Sequence, residues 1–197
     1  MWHITSSPLV RKLFAVFLTG FVIKLMDDFI DLEYDTVLER QNFSNVLGAG
    51  ILPYAIFIFS LACFLEPRTS ISLFFSSYIV GMTADYGTKM PSGLYGYQES
   101  LITLILGILL LGPSEMLSSL FIMWSIQLWD DLCDYRKEIA CGKNYVKMLG
   151  KVECLVFSII CFLSALYLDT VKTIAVSISA ISIVYIIYLL SNSEGVS

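Results

Sequence analysis

The sequence predicts an all-α fold, a polytopic transmembrane helix bundle of about seven helices with two aspartate-rich motifs on one membrane face. Three observations predict it. The chain has 197 residues, 57% of them hydrophobic and only 15% charged, whereas a soluble domain is nearer 25% charged. Apolar segments recur along its length with short polar breaks. Two dense acidic clusters, DDFIDLEYD beginning at Asp27 and DDLCDYRKE beginning at Asp130, each follow directly on an apolar segment. A single membrane domain is expected over residues 1–197.

Taken in order, helices are expected over residues 9–26, 46–65, 69–84, 99–112, 115–130, 151–168 and 172–190. Several of these apolar runs fall short of the ~20 residues that a perpendicular span needs. The helices bearing the acids are therefore expected to continue past the apolar run. Pro67, Pro91 and Pro113 lie in or beside the breaks, where a missing N–H is tolerated. Arg11 and Lys12 precede the first apolar run as in a signal peptide, but that run leads into Met26-Asp27-Asp28 with no small-residue cleavage site. A retained first helix is expected.

Seven crossings put Asp27–Asn45, Asp85–Gln98, Asp130–Gly150 and the C-terminus on one side of the membrane. The longer polar connections and both acidic clusters then share a face. That face also carries Arg40, Lys89, Arg136, Lys137, Lys143, Lys147 and Lys151, against Arg11, Lys12, Arg68 and Lys172 opposite. The positive-inside rule makes the acidic face cytoplasmic.

Composition also excludes some chemistry. The basic residues form no broad stripe, which argues against a nucleic-acid partner. The five cysteines show no C-x-x-C spacing and the one histidine is His3, so a zinc site lacks its usual ligands. The cysteines are expected to act as small buried hydrophobes.

Both acidic clusters fit D-D-x-x-D-x-x-x-[DE]: Asp27, Asp28, Asp31 and Asp35 in the first, Asp130, Asp131, Asp134 and Glu138 in the second. Spacings of three, four and seven put Asp28, Asp31 and Asp35 on one helical face, and Asp131, Asp134 and Glu138 likewise. Two unit charges 4 Å apart repel by roughly 4 kcal/mol at an effective dielectric of 20. Solvated loops explain isolated acids such as Glu66 and Glu115, but they explain two same-face copies poorly. Bound cations would neutralise such carboxylates. All-oxygen ligands suit Mg²⁺, which shares its remaining positions with waters and phosphate oxygens. Arg40, Arg136, Lys137, Lys143 and Lys147 stand close enough in sequence to take the outer oxygens of a diphosphate.

These residues resemble the UbiA superfamily of intramembrane aromatic prenyltransferases. The first family motif, N-D-x-x-D-x-x-x-D, is matched from Asp27 to Asp35, with Asp27 in place of the asparagine. The second is similar to D-x-x-D-x-x-x-D-x-x-x-G, matched by Asp131, Asp134, Glu138 and Gly142, with Leu149-Gly150 closing the stretch. Between them, Tyr86–Pro91 and Gly93–Glu99 resemble the middle loop of the quinone-forming branch. The chain departs from the pattern in three ways: Glu138 replaces an aspartate, Ile139 stands where an arginine commonly follows, and the family's first and last helices are missing. It thus looks like a shortened member.

The resemblance implies a prenyl diphosphate substrate, an aromatic or lipid acceptor, membrane lipid as surroundings and Mg²⁺ as cofactor. It implies metal ligation by Asp27, Asp28, Asp31, Asp35, Asp130, Asp131, Asp134 and Glu138. Catalytic duty would fall on Asp28, Asp31, Asp35, Asp131, Asp134 and Lys89, and diphosphate binding on Arg40, Arg136, Lys137 and Lys143. Tyr86, Tyr95, Tyr97, Trp124, Trp129 and Tyr135 are candidates to face an allylic cation, and Asp85 and Glu99 to act as a base near the acceptor. An intramembrane terpene cyclase would share the first step. A divalent-cation carrier is the reading from a different class, although carriers need acids along a path through the bilayer. CDP-alcohol phosphotransfer would require D-G and A-R pairs that the clusters lack.

Overall fold

The computed structural model describes residues 7–30, 47–135 and 145–194. Eight α-helices stand among them: α1 (Pro8–Ile30), α2 (Ile51–Leu65), α3 (Pro67–Met82), α4 (Gly96–Leu111), α5 (Pro113–Asp134), α6 (Tyr145–Leu149), α7 (Lys151–Leu168) and α8 (Thr170–Glu194). No strand occurs among the described residues, and the fold is all-helical. All seven expected helices are present, and α6 is an additional short one. The two acid-bearing helices run on past their apolar segments, α1 to Ile30 and α5 to Asp134.

Several boundaries differ from the expected ones for local reasons. α3 and α5 begin two residues earlier than expected, on Pro67 and Pro113; proline suits the first helical turn, where its missing N–H is an orphan donor anyway. Gly112 separates α4 from α5 at φ 96°, a backbone conformation that side chains rarely tolerate. α2 starts five residues later than expected, after a 3₁₀ turn at Gly48–Gly50. One helix among the described residues, α7, is both long and apolar enough to cross a membrane, with 18 residues at mean hydropathy 1.9. Ile51–Leu65, Gly96–Leu111 and Thr170–Ile186 are apolar but shorter.

The chain forms two compact units, divided within α3 after Ser70 and within α8 after Thr173. In the first unit α1 packs against α2. α2 buries Ile51, Ala55 and Ala62, and α1 buries Ala15, Val16, Thr19, Val22 and Leu25. Small side chains on that seam let the backbones come close. Gly20 serves the same end, since a methyl there would lie 3.0 Å from Ile183 Cδ1. Arg11 and Glu66 meet at 3.8 Å with substantial exposure, which adds little stability.

In the second unit the main seam is α5 against α7. α7 buries Cys154, Ser158, Cys161 and Ala165, a small-residue stripe of spacing four, three and four. Cys154 and Cys161 thus sit buried as expected, while Cys133 is exposed. Ser125 and Ser158 clamp the two helices reciprocally: Ser125 Oγ donates to Ser158 O at 3.1 Å and Ser158 Oγ to Ser125 O at 3.0 Å. Each such bond contributes about 1 kcal/mol, and both also fix the register of α5 against α7.

At the start of α5, Glu115 is not an isolated acid of a solvated loop, as the sequence suggested. Lys172 has no exposed surface and donates at 2.8 Å both to Glu115 Oε1 and to the Glu115 backbone oxygen. Ser72 Oγ lies 3.4 Å from Glu115 Oε1 and 2.7 Å from Ser119 Oγ. Asp169 Oδ1 accepts from the Lys172 N–H at 2.9 Å and caps the first turn of α8. The polar stretches 112–115 and 169–172 therefore form one ion-paired node. Sequence spacing could not reveal it, because the partners are 57 residues apart.

Breaking a buried ion pair by removing one partner leaves the other charge uncompensated. Lys172→Met should cost about 3 kcal/mol of stability, and adding Glu115→Gln should restore much of that loss. Thermal unfolding of the purified protein in lipid, followed by tryptophan fluorescence, measures both.

Candidate functional site

The two D-D pairs occupy corresponding places on α1 and α5, and the correspondence reaches further back than the acids. Lys24-Leu25-Met26-Asp27-Asp28 on α1 aligns with Gln127-Leu128-Trp129-Asp130-Asp131 on α5. In both, the leucine is fully buried, the first aspartate is exposed and the second is buried, Asp28 at 4% and Asp131 at 6% exposure. In both, the residue four before the buried aspartate donates to it. Lys24 Nζ lies 2.8 Å from Asp28 Oδ1, and Gln127 Nε2 donates to Asp131 Oδ1 at 3.0 Å.

On α5, which ends at Asp134, the arrangement works against the helix dipole: the carbonyl end of a helix is negative, so a carboxylate there is disfavoured by about 0.3–1 kcal/mol. Hydrogen bonds to Asp131 offset that penalty: besides Gln127, the backbone N–H of Tyr145 donates to Asp131 Oδ2 at 2.7 Å, which joins α6 to the end of α5. On α1 the Lys24 ammonium bridges both acids, with Asp27 Oδ2 at 3.2 Å.

Tyr145 is a residue the sequence reading passed over, since it lies outside both motifs. Its ring packs against Trp124 with centroids 5.5 Å apart, and its hydroxyl hydrogen-bonds Thr83 at the end of α3. Below the pair lie Leu128, Val146 and Cys154, with Leu132 and Tyr135 packed against them. Burial pushes the Tyr145 phenol above its ordinary value; the Thr83 bond opposes that rise, and Asp131 and Tyr86 add to it. Lys151 Nζ sits 4.0 Å from the centroid of the Tyr135 ring.

The middle loop is a built structure. Met90 N–H donates to Leu94 O at 2.8 Å, Gly96 N–H to Thr88 O at 3.2 Å, and Thr88 N–H to Asp85 O at 3.0 Å. Gln98 Oε1 accepts from the Tyr95 N–H at 2.9 Å as α4 begins. Tyr95 and Tyr97 stack with centroids 5.9 Å apart, both exposed, as is Tyr86. The Lys89 side chain is exposed too. Glu99 accepts hydrogen bonds from the Tyr78 and Ser92 hydroxyls, so this candidate base is engaged in holding the loop.

Of the remaining predicted site residues, Asp31, Asp35, Arg40, Arg136, Lys137, Glu138 and Lys143 lie outside the described residues. Asp134 closes α5, and its side chain also lies outside them. Among the described residues no three His, Cys, Asp or Glu side chains come together as a metal-holding group. Each described D-D pair supplies two carboxylates. The donor chemistry fits Mg²⁺, being all hard oxygen. Lys24 also shows that the Asp27–Asp28 pair accepts one bridging cation. A comparison of the chain with protein families, curated proteins and solved structures finds no match.

Two outcomes follow from this geometry. A methyl at Gly96 would meet the Asp85 backbone oxygen at 2.5 Å, whereas one at Gly81 would meet nothing within 4 Å. Gly96→Ala should therefore destabilise by about 1–3 kcal/mol and Gly81→Ala should not, as thermal unfolding will show. Lys24→Met removes the cation from the first pair. That variant should melt lower than the parent without divalent ions and gain more from added Mg²⁺ in the same assay.

Proposed function

We propose that the chain is a multi-pass membrane protein acting as a Mg²⁺-dependent prenyltransferase of the UbiA type, with its acidic face cytoplasmic. One observation carries the reading. The same element, a donor, a buried leucine, an exposed aspartate and a buried aspartate, occurs twice at the approach to both D-D-x-x-D motifs. A solvated acidic surface has no need of such a repeated arrangement, since burying a carboxylate is costly unless it serves an end. Each pair, with its oxygen donors, suits a divalent cation that carries phosphate oxygens.

The membrane placement is supported by α7. It is apolar all round, yet only 22% of its 18 residues are buried, whereas the core helix of a soluble protein would be mostly covered. α4 likewise leaves Leu101, Ile105, Leu109 and Leu110 exposed. Such faces would meet lipid and give a prenyl tail an apolar wall to lie against.

Mg²⁺ held by Asp27, Asp28, Asp31 and Asp35, and by Asp130, Asp131, Asp134 and Glu138, would supply charge stabilisation to the departing diphosphate. The chain's own residues would do the rest. Arg40, Arg136, Lys137 and Lys143 would bind outer phosphate oxygens. Lys89, exposed on the middle loop, would reach the diphosphate or the acceptor. The Trp124 and Tyr145 rings would present π faces to the allylic cation left by ionisation. An aromatic or lipid acceptor would then attack that cation, losing a proton to solvent or to a nearby base.

Pyrophosphate release by the protein in lipid, given geranylgeranyl diphosphate and Mg²⁺, tests the proposal. Release should stop with EDTA and fall steeply in Asp31→Asn and Asp134→Asn. Product analysis with and without an aromatic acceptor then separates transfer from cyclisation. Folded protein that releases nothing across several chain lengths and acceptors would sink the enzyme reading.

A further inference from the structure

We propose that Asp131 is a positioning residue rather than a metal ligand: it seats Tyr145 against Trp124 and leaves Asp130 as the outward carboxylate of the pair. The proposal rests on the functional reading above but departs from the ligand set that the motif implies. Asp131 is almost fully buried. Both its oxygens already accept hydrogen bonds from the protein, Oδ1 from the Gln127 amide at 3.0 Å and Oδ2 from the Tyr145 N–H at 2.7 Å. A carboxylate so engaged has to give up two donors before it can turn to an ion, and the donors are themselves placed. Gln127 sits one turn back on the same helix, and Tyr145 is fixed by Thr83 and Trp124. Asp130 is the exposed member of the pair. Successive helical residues lie about 100° apart around the axis, so locking Asp131 inward turns Asp130 outward.

The role has a chemical consequence. The Tyr145 N–H donates to Asp131 Oδ2, a contact made across the 13 residues between the two positions. The carboxylate therefore fixes where the chain rejoins α5, and with it the placement of the Tyr145 ring beside Trp124. Through that ring it would act on the cation-stabilising wall without touching the ion. The first copy repeats the layout, with Asp28 buried against Lys24 and Asp27 exposed.

Asparagine separates the two roles. In Asp131→Asn the side-chain oxygen can still accept from the Tyr145 N–H, and the Gln127 amide can turn to receive the new NH₂ group. Its geometry survives while its charge goes. Mn²⁺ binding to the protein in lipid nanodiscs, read by the loss of the free-ion electron paramagnetic resonance signal, should stay within about threefold of the parent in Asp131→Asn. In Asp130→Asn it should weaken by about tenfold or more. Amide exchange of the 145–149 segment, followed by mass spectrometry without metal, should accelerate in Asp131→Leu and stay slow in Asp131→Asn. Gln127→Leu, a milder variant, should show an intermediate rise. Loss of Mn²⁺ in Asp131→Asn as large as in Asp130→Asn would overturn the proposal, as would unchanged exchange in both Asp131→Leu and Gln127→Leu. A parent that binds no Mn²⁺ would count against the metal in the proposed function; the exchange arm would then decide the role of Asp131 alone.

Discussion

The constraint on which the rest depends is the burial of one carboxylate in each D-D pair. A buried ionised acid is too costly without donors, so neither pair can be built from the acids alone. α1 meets the problem with Lys24 and α5 with Gln127 and the Tyr145 N–H. Much of the local structure follows. α1 and α5 must extend past their apolar segments to carry a donor one turn before the buried acid. At Asp131, Tyr145 of α6 meets the end of α5. The donors differ in kind: Lys24 brings a cation to the first pair, whereas Gln127 and the Tyr145 N–H bring neutral hydrogen bonds to Asp131.

Rigid seating of those pairs comes from the helix seams that carry them. α5 is held in register by the Ser125–Ser158 clamp and by the small side chains of α7. In the first unit, α1 gains the same closeness from Ala55, Ala62 and Gly20. Helices that pack through small residues leave little room to rotate about their own axes. An inward aspartate and its outward neighbour then keep their faces.

The helices were legible in the sequence because an apolar run of 15 to 20 residues between polar breaks has few other ways to satisfy its backbone. Their starts were less so: α3 and α5 begin on Pro67 and Pro113, which read as loop residues until the first-turn exception is applied. The acidic motifs were legible as spacing, but the donors were not, although Lys24 and Gln127 stand at the same offset before each D-D pair. Comparing the residues upstream of the two motifs would have found them. Tyr145 and the Lys172–Glu115 pair were out of reach, since each depends on a contact between residues far apart in the chain. Lys172 in particular looked like a surface charge beside a turn. Its burial is set by a partner 57 residues away, which no local pattern announces.

That ammonium also sets a condition on assembly. A lysine without exposed surface cannot be enclosed before its counter-charge is in place, because an unpaired buried cation is too costly to persist. The beginning of α8 and the beginning of α5 must therefore close together, with Ser72 of α3 joining the same event. Three helix starts, distant in the order of synthesis, are bound into a single cooperative step, and a nascent chain lacking α8 would have to leave Glu115 waiting in contact with water.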